Sequence, residues 1–209
     1  MRHRPRPGDR LTGSDTQTFF GSRAAAWEEK FPDDGPRFER AVAELGVRPG
    51  DAVLDAACGT GRALPVLRAA TGPAGLLVGL DLTVEMLAEA QRRGRGELAQ
   101  LVRGDVTGLP FATGAFDVLF ASGLVSHLPD PAAGLRELAR VAVDGARLGL
   151  FHPVGRAALA RRHGRELTPD DVRSEPRIRE LLTGTGWRVT EVDDAEDRWL
   201  VVAVRRERA

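Results

Sequence analysis

Asp55 and the two glycines that follow it, Gly59 and Gly61, are residues whose types and spacing could hold a ligand. The apolar run Ala52-Val53-Leu54 ends in the Asp55 carboxylate, passes through Ala57-Cys58-Gly59-Thr60-Gly61 and enters a segment with Leu64 and Leu67 at helical spacing. That pattern predicts a buried strand, a tight turn and a helix start. Glycines let backbone N–H groups approach a bound group, and a helix N-terminus favours negative charge, so the expected ligand is small with an anionic end. A dinucleotide fingerprint would carry a third Gly or Ala where Leu64 stands, and a phosphate-gripping loop would need Gly-Lys-Ser/Thr, which the chain lacks. Asp55 would repel phosphate but suits a ligand carrying an ammonium group.

A second acid, Asp81, closes the apolar run Leu76 to Leu80, about 20 residues after Gly61, the interval at which a βαβ unit presents an acid to ribose hydroxyls. Two histidines, His127 and His152, follow the fourth and fifth apolar runs, at the sheet edge where open α/β folds bind ligands. A neutral imidazole there could take a proton or position a substrate. Cys58, the single cysteine, reads as packing in the turn; it excludes an intramolecular disulfide and a cysteine-rich metal site, and no metal is expected.

Asp-Ala-Ala-Cys-Gly-Thr-Gly resembles motif I of class I S-adenosylmethionine (SAM)-dependent methyltransferases. The resemblance implies SAM as cofactor, held by Asp55, Ala57, Gly59 and Gly61, with Asp81 on the ribose and Leu82 over an adenine face. It also implies Asp105 on the adenine amino group, the Val106 N–H on a ring nitrogen, and Ser122 ending the strand beside the methionine moiety. His127-Leu-Pro-Asp resembles the loop of the branch that includes ubiquinone and menaquinone biosynthesis methyltransferases. Phe19 to Trp27 resembles the segment that lids the cofactor in small-molecule members; simple packing of its aromatics on the core is the alternative.

The elements that must position these residues alternate strand and helix. Phe38, Ala41, Val42 and Leu45 mark an amphipathic helix closed by Gly46. Strands are expected at Leu76–Leu80, Leu98–Val102, Phe116–Ser122 and Ala146–Phe151, with a helix from Thr83 to Arg93 between the first two of these. Trp187–Val192 and Trp199–Val204 form a closing antiparallel pair, because their connection is short. The expected fold is α/β: a Rossmann-like, seven-stranded, mostly parallel sheet with helices on both faces and an antiparallel C-terminal strand. Residues 1–18, polar and rich in Arg, Pro and Gly, read as a mobile tail. Residues 19–209 form a single domain, with a lid-like segment over 19–35 and a cap-like insertion over 154–175. In that insertion Thr168-Pro169-Asp170-Asp171 carries the chemistry of a helix start.

At 209 residues, 42% hydrophobic and 29% charged, the composition is that of an ordinary globular domain. Lys+Arg and Asp+Glu balance at 30 each, so no global field draws the chain to nucleic acid or an anionic membrane. No apolar run is long enough to span a bilayer and no signal-peptide core is evident, which makes the cytoplasm the expected compartment. The Asp/Asn-Pro-Pro-aromatic motif of amino-directed nucleic-acid and protein enzymes is missing after the fourth strand, where Ala121-Ser122-Gly123-Leu124 stands. The expected partner is therefore a small-molecule acceptor, methylated at O, N or C by in-line displacement; a homodimer stays open. A non-catalytic SAM-binding protein of the same fold is the alternative, and a nicotinamide-dependent oxidoreductase rests only on Gly59, Gly61 and Asp81.

Overall fold

Continuous apolar runs dictate the centre of the molecule, because a strand buried on both faces has no polar side to alternate with. The computed structural model describes residues 13–30 and 34–207. Its strands are β1 (Val53–Ala56), β2 (Leu77–Asp81), β3 (Gln100–Arg103), β4 (Phe116–Ser122), β5 (Ala142–His152), β6 (Trp187–Ala195) and β7 (Arg198–Arg205). They form one sheet in the order β3-β2-β1-β4-β5-β7-β6. Neighbours are parallel from β3 to β5, whereas β7 runs antiparallel to both β5 and β6. The two residues joining β6 to β7 leave room only for a hairpin, which reverses β7.

Helices are α1 (Gly13–Gly21), α2 (Gly35–Leu45), α3 (Leu64–Thr71), α4 (Val84–Arg92), α5 (Pro131–Val141), α6 (Arg156–Arg162) and α7 (Glu175–Thr183). Side chains alternate across the sheet, so each strand feeds two layers. Leu54, Leu119 and Leu148 enter the layer that contains Leu138 of α5 and Ile178 of α7. Val53, Val118 and Phe120 enter the other, with Phe38 and Leu45 of α2 and Leu67 of α3. Strand order reverses between β1 and β4, whose carboxyl ends lie side by side; such a switch point opens a crevice for ligands.

Three expectations need correcting. Residues 13–18, read as part of a mobile tail, are helical in α1; the tail's first twelve residues lie outside the described residues. Residues 31–33 of the lid-like segment lie outside them too. No helix starts at Thr168. The Asp171 carboxylate instead accepts the backbone N–H of Arg173 at 2.9 Å and the Nε–H of Arg156 at 3.0 Å, which closes a turn. The helix begins later, at Glu175, with Pro176 in its first turn. The third strand starts at Gln100 because Arg95–Glu97 makes a single 3₁₀ turn ahead of it.

Candidate functional site

The turn after β1 is built by backbone that most residues avoid. Ala57, Gly59 and Gly61 all have positive φ, at 66°, 56° and 81°. A Cβ at Gly61 would come within 2.8 Å of Leu64 Cδ1 and 2.9 Å of Arg95 Cδ, so both conformation and space require glycine there. At Gly59 a Cβ would meet nothing within 4 Å: the backbone opens onto free space. Cys58 is buried, and burial pushes its thiol well up, which suits packing and not nucleophilic chemistry.

Two carboxyls sit around this turn. Asp55, 1% exposed, has no hydrogen-bond partner on either carboxylate oxygen. Burial, with the Asp81 charge adding to it, pushes its pKa up to about 8. Asp81 closes β2; its Oδ2 accepts the Gly59 N–H and its Oδ1 the Thr83 N–H, each at 2.8 Å. Burial raises Asp81 while these bonds pull it back. An orphaned carboxylate wants a cationic donor, and the ammonium of a methionine moiety is one. The residues present therefore fit SAM: Asp55 for the ammonium, the open backbone at Gly59 for close approach, and Asp81 for ribose hydroxyls.

The remaining expected contacts surround the same edge. Leu82 follows Asp81 directly, and the Leu82 carbonyl accepts Gln17 Nε2 of α1 at 3.3 Å. Beyond β3, the exposed Asp105 uses Oδ1 to accept the N–H and hydroxyl of Thr107, both at 2.8 Å, while Val106 is buried. The Gly104 N–H donates to the Asp81 carbonyl at 3.0 Å, which ties this loop to the end of β2. Ser122 is the last residue of β4, and the next N–H, of Gly123, donates to the Phe151 carbonyl at the end of β5.

The end of α1 and the segment after it make contacts at this edge that sequence reasoning missed. Glu28 Oε1 accepts the Thr60 hydroxyl at 2.7 Å and Arg95 Nη1 at 2.5 Å. Arg95 also donates to the Thr60 carbonyl. Arg62, in the turn, pairs with Asp34 at 3.1 Å. At the other end the Phe20 ring stacks edge-on against Trp27 at 5.5 Å and His127 at 5.1 Å. Glu28 and Arg95 lie 67 residues apart, and no local pattern links them.

His127 ends a 3₁₀ turn after β4, and His152 ends β5. Burial and then the charge of Arg173 hold both rings below the ordinary histidine range, His152 down to about 4. His152 Nδ1 lies 2.8 Å from the Val154 carbonyl oxygen, which fixes the ring against its own loop. Beneath these loops is a cavity of about 10 Å³, lined by Ala121, Ser126, His152, Arg173 and Trp199 among others.

Residues 54–150 match the family described as "Methyltransferase domain". Among curated proteins, the chain is 37% identical over 110 residues to an uncharacterised 37.1 kDa protein in a transposon of Streptomyces fradiae, covering 52% of this chain and 32% of that protein. It is 34% identical over 108 residues to demethylmenaquinone methyltransferase of Staphylococcus aureus, covering 51% and 45%. The chain thus spans less than half the length of either relative. Among solved structures, a SAM-dependent methyltransferase from Aquifex aeolicus superposes with a TM-score of 0.68 at 25% identity, over 93% of this chain and 99% of that one.

Proposed function

We propose, for a chain that carries a class I SAM-dependent methyltransferase domain, that it transfers the methyl group of SAM to a small organic acceptor in the cytoplasm. The observation that carries this reading is Asp55, a buried carboxylate without a donor, set beneath backbone that opens onto free space at Gly59. When bound, SAM supplies a methyl group already activated on a sulfonium sulfur. Asp55, the Gly59 backbone and Asp81 would hold SAM, and it would supply that methyl to a lone pair of the acceptor, its sulfur keeping the electron pair of the broken carbon–sulfur bond and any proton on the acceptor atom passing to a base or to water. The protein's part is to align the two reactants and keep water out.

A base whose conjugate acid has a pKa of about 4 is poorly matched to taking a proton from a hydroxyl near pH 7, so His152 fits a positioning role. We assign His127 the same role, since the Phe20 ring covers it. The acceptor atom then arrives as an anion or as a free lone pair. A second reading, a SAM-binding protein without turnover, has the small size of the acceptor-side cavity in its favour. No helix among the described residues is long and apolar enough to cross a membrane.

Calorimetric titration of SAM into protein stripped of co-purified ligand tests the proposal. Saturable one-to-one binding supports it, and turnover with any acceptor then separates the two readings. No SAM binding would sink both.

A further inference from the structure

Arg173 stands apart from the other inward arginines. Arg62, Arg95, Arg147, Arg156 and Arg198 have side chains 12–21% exposed, and each finds a carboxylate within 3.1 Å. Arg173, 12% exposed, has its nearest carboxylate oxygen, of Asp171, at 3.7 Å, beyond hydrogen-bond reach. That carboxylate is spent on Arg156 at 3.0 Å and on the turn's own backbone. The buried Nε and Nη1 of Arg173 have no hydrogen-bond partner. Its backbone is held in place, since Trp199 Nε1 donates to its carbonyl at 3.0 Å. A guanidinium cannot shed its proton to escape burial, so unmatched donors are costly and point to a ligand that supplies the acceptors.

We propose that Arg173 recognises the methyl acceptor, and that this acceptor carries a carboxylate bound between the ends of β4 and β5. The proposal rests on the SAM-dependent reading above and deepens it. The cavity there, about 10 Å³, has room for about one water, so a carboxylate reaching Arg173 would displace that water and part the loops after β4 and β5. Ser126 and His152 line it beside Arg173, adding neutral polar groups, and no acid is among its lining residues. A carboxylate would satisfy the orphaned donors through charge-assisted hydrogen bonds. Recognition through one anionic end group leaves the rest of the acceptor to the loops after β4 and β5.

The test uses the full chain loaded with S-adenosylhomocysteine, titrated with acetate and benzoate and with their neutral isosteres acetamide and benzamide. Wild-type protein should prefer at least one acid over its amide by tenfold or more, and Arg173→Leu should erase the preference while SAM still binds. Arg173→Lys should keep part of it. Should Arg173→Leu fail to fold, the wild-type protein still decides: its Arg173 Nε–Hε resonance should move on adding the acid and not the amide. Equal binding of acid and amide, no binding of either acid to protein that binds SAM, or a preference that survives Arg173→Leu would overturn the assignment. Failure of SAM itself to bind would instead remove the underlying methyltransferase reading.

Discussion

The carboxyl edge of the sheet has two halves whose buried polar groups are left unmatched in opposite senses, acids on one side and bases on the other. At the ends of β1 and β2 two buried carboxyls, Asp55 and Asp81, sit together; Asp55 has no donor, and Asp81 accepts the Gly59 and Thr83 N–H groups but meets no cation among the described residues. At the ends of β4 and β5, His127, His152 and Arg173 gather, and the nearest carboxylate has turned to Arg156. Burial acts on both halves, raising the acids and lowering the bases. Unmatched charge inside a protein costs stability, so each half describes the partner that would complete it: a cation on one side, an anion on the other. A sulfonium cofactor with an ammonium group and a carboxylate-bearing acceptor meet these two needs.

Four changes would break or sharpen that contrast. The largest effect is expected from Gly61→Val, which forces a branched side chain to positive φ against Leu64 and Arg95; it should cost ~2–4 kcal/mol of stability in urea unfolding. Asp81→Ala removes a ribose acceptor and the brace on the Gly59 and Thr83 N–H groups together. Its SAM affinity by calorimetry should fall at least tenfold, about 1.4 kcal/mol. Unchanged affinity would mean that the cofactor half is only structural.

Asp55→Asn separates stability from binding. The neutral amide should weaken SAM by ~3–10-fold, up to about 1.4 kcal/mol, yet raise the melting temperature of the ligand-free protein near pH 8. The sign follows from linkage. Asp55 rises from 3.8 to about 8 on folding, so its contribution is fully present below the unfolded value and is lost as pH rises through the folded one. The benefit of Asp55→Asn should therefore grow from pH 4 to pH 8. His152 falls from 6.5 to about 4, so its contribution is full above 6.5 and drains away as pH falls through 4. The smallest effect is then the His152→Gln variant, whose melting temperature should lose less than wild type between pH 6.5 and pH 4. Matching pH slopes in the two variants would erase the distinction between the halves.

Much of the cofactor half was legible in the sequence, because apolar runs there end abruptly in Gly and Asp. The span Phe116–Ser122 came out with its ends intact, and the run to Asp81 differs by one residue at its start. The acceptor half was less legible. Thr168-Pro169-Asp170-Asp171 has the chemistry of a helix start, but the Asp171 side chain is used to close a turn, a choice made by Arg156 fifteen residues earlier. Arg173 lies in the same turn, outside any periodic pattern, and its significance depends on what fails to pair with it. Glu28, Thr60 and Arg95 were invisible for a related reason: their contacts span 32 and 67 residues.

The segment from Phe20 to Glu28 has a mechanical consequence. Glu28 fastens it to the glycine turn, and Phe20, eight positions earlier, fastens it over His127. One stretch of chain thus ties the two halves together mechanically, through Thr60 on one side and His127 on the other.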